Sequence, residues 1–396
     1  MFEESGASPP RYLVLSLNRL GLANRLRAMA DWHQLATHSN RVLLVSWEPT
    51  SDCNASFTDL FKAGPPGMKI LPFVLPQGRR GLKRVVEVAA DAGLTASILS
   101  DDQDELQPGP ARRPPLYSPG IGAFVMAKER VMSDTHVLVT DHNGLVVMED
   151  IRCQQYLHMH SAFLSGLVPI DYATSFVRDF KTSYAAKHIL IGVHVRVHDP
   201  VQDWAVVPPL ESVSDNTAVN FGVGATIQDF TRYMRQIEDK FSSRHARFFI
   251  ASNSQDAKTH ILSQFPDAVS LSGDYARSSP EGVIFALIEW LLLSESSLIL
   301  NTYGSSFAVE AAQVHMRPLL GLWDGRLLHH YNHYLPHCGH LLYAKAYGNQ
   351  GAESSYFEVN DGTNFRRAVV SKTISMKHCA HLQDWGLPEV YCVTAD

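Results

Sequence analysis

Short apolar runs rich in β-branched residues alternate along this chain with longer stretches whose apolar positions recur every three or four residues. That is the pattern of strands alternating with helices. Residues 12–17 read as a strand and Asn18 to Gly21 as its turn. Leu22, Leu26, Met29 and Ala30 follow at helical spacing, the pattern continues to Leu35, and residues 41–47 form the next strand. Strand, turn, helix and strand make a βαβ unit, so a parallel sheet is predicted from the start of the chain. Residues 77–119 are rich in Arg, Asp, Gly and Pro, with one helix predicted at 83–92 and a surface excursion over 101–119. Residues 137–140 and 145–148 read as strands around a turn at 141–144, and 173–186 as an amphipathic segment.

The second half repeats the alternation. Strands are predicted at 189–195, 247–252, 268–271 and 297–301, interleaved with helices at 226–241, 256–265 and 280–293. The 226–241 helix has the clearest periodicity, through Ile227, Phe230, Met234, Ile237 and Phe241. A turn at 303–307 then opens into a helix ending at Val314. Two such sets in tandem predict an α/β protein of two Rossmann-like domains facing a cleft. The expected boundaries are 1–172 and 173–345, with 346–396 an extension that packs back on the N-terminal domain.

Composition narrows the class. At 396 residues, 45% hydrophobic and 19% charged, the chain is globular and long enough for two cores. A formal net charge of -6 argues against nucleic acid as a partner. The longest apolar stretch, 283–300, is broken by Glu289, Ser294, Glu295, Ser296 and Ser297, so no membrane span is expected. The start, MFEESGASPPR, is polar and acidic and does not read as a signal peptide. The chain as written is therefore expected in the cytoplasm, or in the ER/Golgi lumen if a leader has been removed. Five cysteines, an odd number without CxxC spacing, leave at least one outside any intramolecular pair. Cys379 and Cys392 could bridge in an oxidising compartment, and Asn54-Ala55-Ser56 is a glycosylation sequon. His329 and His333 have the spacing of a helical metal pair, but Pro336 and the lack of nearby carboxylates favour structural or cleft-lining histidines.

The densest candidate chemistry lies in ILIGVHVRVHDPVQDW, residues 189–204. A buried strand delivers His194 and Arg196 near its C-terminal end, then Pro200 stops it among His198, Asp199 and Asp203. Open α/β sheets place ligands at such strand ends. Arginine offers a planar fork of donors suited to phosphate oxygens, although Arg196 could instead pair with Asp199 or Asp203. Three further strand ends join it: Ser252 and Asn253, Gly273 and Asp274, and Gly304 to Phe307. Ser305 and Ser306 open a helix, where uncapped N–H groups and hydroxyls favour an oxyanion, or where they simply cap. Glu289 stands in an otherwise apolar helix, which demands pairing or exposure. Its carboxylate could accept the parallel N–H pair of guanine. In the first half, Gly21, Asn24 and Arg25 form a turn into a helix N-terminus that suits a ligand bearing hydroxyls or negative charge.

These residues carry a resemblance. HVRVHDPVQDW resembles the His-x-Arg segment of the fucosyltransferase superfamily of protein O-fucosyltransferases, core α1,6-fucosyltransferases and nodulation fucosyltransferases. GLANRLRAMADW with VSWEP, FFIASNSQDAK and EGVIFALIEWLLLSESSLILNTYGSSF are similar to that family's other segments, in its order. The resemblance implies a GT-B fold with the acceptor side in the N-terminal domain and GDP-fucose bound mainly by the C-terminal one. It also implies inversion at the anomeric carbon and no metal or other cofactor. The partners would be the GDP-sugar and a glycan or protein acceptor. Carried over by position, Arg196 contacts the β-phosphate beside His194; Ser305, Ser306 and Phe307 cradle diphosphate and base; Glu289 reads guanine; Asn24 faces the sugar. Val197 stands where core-type enzymes have a second arginine, and Ser252-Asn253 replaces an acidic pair. For an acceptor hydroxyl needing a base, Asp203 is the candidate, ahead of Asp199 and Glu48, and a mechanism without a protein base is also open.

Overall fold

A computed structural model describes residues 10–18, 20–76, 78–99, 123–126, 132–141, 145–148, 153–185, 188–197, 218–219, 225–241, 246–273, 276–302, 305–323, 326–329, 355–360 and 365–370. Two compact units are present. One takes residues up to Asp171 together with Ala276–Ala286, and the other Tyr172–Tyr275 with the described residues from Leu287 onward.

The first unit is built on strands β1 (Arg11–Leu17), β2 (Arg41–Trp47), β3 (Met68–Ile70), β4 (Ala96–Ile98) and β5 (Val137–Thr140). They form one sheet in the order β3-β2-β1-β5-β4, and every pairing is parallel. Helix α1 (Leu22–His38) connects β1 to β2, completing the predicted βαβ unit. One sheet face, with Tyr12, Val14, Leu44, Val137 and Val139, packs on Leu82, Val85 and Ala89 of α2 (Arg79–Asp91). Helix α3 (Cys153–Ser165) packs against α1 and was not anticipated from the sequence. Residues 145–148 are a strand, as predicted, but pair in parallel with 123–126 rather than across a turn with β5.

The second unit opens with α4 (Asp171–Phe180), which continues into a wider π-type segment at Lys181–Ala185. Its main sheet is made of β6 (Ile189–Val195), β7 (Ala246–Ser252), β8 (Val269–Ser270), β9 (Leu298–Thr302), β10 (Leu319–Trp323) and β11 (Arg326–His329). The sheet order is β8-β7-β6-β9-β10-β11, parallel throughout except for the β10–β11 pair. Side-chain alternation divides β6 between two layers. Ile191, Val193 and Val195 join Phe230, Met234 and Ile237 of α5 (Ile227–Phe241) and Ile261 of α6 (Gln255–Gln264) in one cluster. Each such buried side chain contributes about 1.5–3 kcal/mol. The opposite face holds Gly192, His194 and Arg196. A Cβ at Gly192 would lie 2.8 Å from Leu293 Cδ2 and 3.0 Å from Ser296 Oγ, so glycine is what lets the end of α7 (Pro280–Ser294) approach the sheet. Helix α8 (Ser306–Val314) packs beside β9 and β10.

Candidate functional site

Strand order in the second unit reverses between β6 and β9, the point where open α/β sheets bind ligands. His194 on β6 and Asn301 on β9 are registered partners across it. His194 Nδ1 lies 2.9 Å from Asn301 Oδ1, and its ring stacks on Phe307 of α8 at 5.3 Å between centroids. Thr302 Oγ1 accepts from the Arg196 N–H at 2.9 Å and donates to the His194 carbonyl at 3.3 Å, fixing the backbone that carries both residues. His194, Arg196, Asn301 and Thr302 are all buried. Burial pushes the His194 imidazole down to about 4, against the Asn301 hydrogen bond, and the charges of Arg196 and Lys258 act in the same downward direction. His194 is thus brought against the start of α8, with Arg196 two residues along the same strand end.

Ser305 is the N-cap residue of α8, and its side chain makes no capping hydrogen bond. That sets aside the reading of this serine as a cap. Its own N–H is bonded to the Thr302 carbonyl at 3.1 Å, while Ser306 and Phe307 are half-buried in the first turn. At the end of β7, Ser252 Oγ accepts from the Ser254 N–H at 3.1 Å. The Asn253 amide bonds both ways to the backbone of Val197: Oδ1 accepts its N–H at 2.9 Å and Nδ2 donates to its carbonyl at 3.0 Å. Asn253, expected as a ligand contact, anchors the residue where the chain leaves β6.

Glu289 does not face solvent, and one of the two oxygens expected to read guanine is engaged within the protein. Its Oε1 is held by Lys258 Nζ at 2.5 Å, and Lys258 also donates to the Leu271 carbonyl at 3.2 Å. Both side chains are buried. Burial raises the Glu289 carboxyl to about 7 against the pull of Lys258, and lowers Lys258 against the pull of Glu289. For each partner, loss of water outweighs the attraction. Lys258 was missed in the sequence because a lone lysine at helical spacing looks like any solvated one. Asn301 and Thr302 could have been flagged as a polar pair ending an apolar strand.

In the first unit the turn before α1 differs from expectation. Gly21 has φ −71°, and an added Cβ would meet only the Asp52 carbonyl at an ordinary 3.6 Å, so neither backbone angle nor protein packing requires glycine there. The left-handed residue is Leu20, at φ 75°. Arg25 is fully buried and does not reach outward. Its Nε donates to the Leu20 carbonyl at 2.9 Å, one terminal nitrogen to the Glu48 carbonyl at 2.5 Å and the other to Thr50 Oγ1 at 2.8 Å, with the guanidinium over the Trp47 ring. It is a clamp between the turn and the end of β2. Asn24 Oδ1 accepts from Arg27 at 2.9 Å. The sequon asparagine, Asn54, is likewise engaged, its amide donating to the Ser278 carbonyl at 2.7 Å. Cys53 is a buried free thiol.

Asp199, Asp203 and Asp274 lie outside the described residues, as do Gly304, the histidines from His330 onward, Cys379 and Cys392. Among the described residues, no three His, Cys, Asp or Glu side chains gather as a metal site, and no helix is long and apolar enough to cross a membrane.

No protein-family profile matches the chain. No curated protein sequence matches it either. Solved structures do. NodZ α-1,6-fucosyltransferase co-crystallised with GDP is 16% identical over 82% of this chain and 99% of that one, with a TM-score of 0.51. Fucosyltransferase NodZ from Bradyrhizobium is 15% identical over 81% and 98%, with a TM-score of 0.50. The fold is GT-B, as in those structures. A point mutant of Arabidopsis thaliana FUT1 in complex with GDP is also similar, 14% identical over 80% of this chain and 71% of that one, with a TM-score of 0.49.

Proposed function

We propose that this protein is an inverting, metal-independent glycosyltransferase that moves fucose from GDP-fucose to a hydroxyl of a glycan or protein acceptor. The observation that carries the reading is the stacking of His194, two residues before Arg196, on Phe307 at the uncapped start of α8, at the switch point of the second sheet. As the glycosidic bond breaks, negative charge builds on the departing diphosphate. Arg196 and the first N–H groups of α8 would meet it. Loss of one preorganised group of this kind typically costs about 10²–10³ in rate. Ser305 and Ser306 add hydroxyl donors, Phe307 an aromatic face, and Asp203 is the proposed base for the acceptor hydroxyl. Asn253 holds the start of the segment that leads to Asp203. The fold likeness to NodZ co-crystallised with GDP supports the nucleotide class. Because Glu289 Oε1 is held by Lys258, guanine selection is assigned to the strand-end loops, with Asp274 the first carboxylate after β8 in sequence. Calorimetric titration with GDP, UDP and GDP-fucose in chelator tests the proposal. Binding of GDP and GDP-fucose without UDP is expected; equal binding of GDP and UDP, or of neither, would sink it.

A further inference from the structure

His194 and Asn301 face each other on adjacent parallel strands. The ring nitrogen nearer the amide, Nδ1, is 2.9 Å from Asn301 Oδ1. A carbonyl oxygen has lone pairs only, so the nitrogen facing it carries the hydrogen. Stacking on Phe307, 26° from parallel, fixes the plane of the imidazole, and Thr302 fixes its backbone. Asn301 is fully buried, and its Nδ2 has no hydrogen-bond partner among the described residues. The bond to His194 is therefore the polar contact that orients the amide. We propose that Asn301 is a positioning residue, holding His194 with its hydrogen on Nδ1 so that Nε2 is presented to the donor as a hydrogen-bond acceptor.

This rests on the donor-site reading above and changes the histidine's task. A lone pair repels a phosphate oxygen and accepts from a hydroxyl. Arg196 and the α8 N–H groups are then the anion contacts, while His194 receives a hydroxyl of the ribose or of the transferred sugar. The ring stays neutral because it is buried beside Arg196 and Lys258, and the carboxylate facing that lysine, Glu289, is already paired with it.

The tautomer is read from a long-range proton–nitrogen correlation spectrum of histidine-labelled protein, with His194 assigned by its absence in His194→Gln. A neutral Nδ1–H signature at pH 7 is expected, and an Nε2–H or imidazolium signature overturns the inference even if GDP binds. Asn301→Asp keeps an acceptor facing Nδ1 but adds a charge that favours imidazolium. Its GDP-fucose affinity should vary about ten-fold between pH 5 and 8 where the wild type is flat. Asn301→Ala should lose about ten-fold in affinity at constant pH. A purely structural role would lower stability in both variants without either pH dependence or tautomer change, and that result also overturns the inference. In His194→Gln, an equal loss for GDP and GDP-fucose places the hydroxyl on the ribose, and a loss confined to GDP-fucose places it on the sugar. A protein that shows the Nδ1–H signature yet binds neither nucleotide overturns the donor reading and leaves the Asn301–His194 assignment standing.

Discussion

Replacing Lys258 with methionine isolates what the buried Lys258–Glu289 pair does. The substitution roughly keeps the length of the side chain and removes the cation that holds Glu289, a carboxylate left 4% exposed between α6 and α7. Breaking a buried pair on one side typically costs about 3–5 kcal/mol, because the remaining charge has neither water nor partner. For a unit of this size that is a drop of roughly 6–20 °C in its melting transition. Loss of the Lys258 bond to the Leu271 carbonyl adds to it. The pH dependence has a definite sign. Glu289 is already raised from 4.5 to about 7 by burial, so its contribution to stability is most favourable below 4.5 and is lost as pH rises through about 7. Without Lys258 the carboxyl moves further up and escapes by taking a proton, so the defect of Lys258→Met should be smaller at pH 5 than at pH 8. The double variant Lys258→Met, Glu289→Leu should recover most of the loss. The assay is calorimetric melting of the three proteins at both pH values, following the transition of the second unit. A single-variant defect under about 1 kcal/mol, or one equal at pH 5 and pH 8, would refute the reasoning.

Gly192→Ala should destabilise the second unit by about 1–3 kcal/mol in a urea titration, because its methyl would press Leu293 at 2.8 Å and Ser296 at 3.0 Å. Arg25→Lys keeps the charge but loses the fork that binds Leu20, Glu48 and Thr50 at once, so the first unit should be destabilised by about 2 kcal/mol or more and melt at lower temperature. No change in that transition would reduce the clamp to a surface contact. His194 is depressed from 6.5 to about 4, so its contribution is present above 6.5 and lost as pH falls through 4. Glu289 shifts the other way over a similar range. The acid loss due to His194 should therefore show most clearly in the Lys258→Met, Glu289→Leu background, and a flat stability profile there between pH 6.5 and 4 would count against it.

Much of this architecture is legible in the residues because burial and periodicity are local properties. The run 189–195 and the spacing Ile227, Phe230, Met234, Ile237 announce β6 and α5, and the two large sheets are parallel, as the alternation of elements requires, except for the β10–β11 pair. Helix α3 was not, since its sequence, CQQYLHMHSAFLS, places polar and apolar residues with little helical contrast. The site was legible where a residue's chemistry is unusual for its place, as with His194 and Arg196 on a buried strand. It was not legible where function depends on which long-range partner a side chain meets. Arg25 and Glu289 look like ligand contacts until Thr50 and Lys258, 25 and 31 residues away, are seen to take them. Asn301 looks like the end of a strand until the β6–β9 register sets it against His194, 107 residues away.

The central claim is that Arg196 and the start of α8 bind the diphosphate of a guanosine nucleotide. The most direct measurement is the affinity of GDP and of guanosine for the wild type and for Arg196→Ala, in chelator at low and high salt. The account predicts that the wild type binds GDP far more tightly than guanosine. Arg196→Ala should then lose at least ten-fold for GDP and little for guanosine, with the loss largest at low salt. GDP affinity unchanged in Arg196→Ala, with the fold intact, would contradict it.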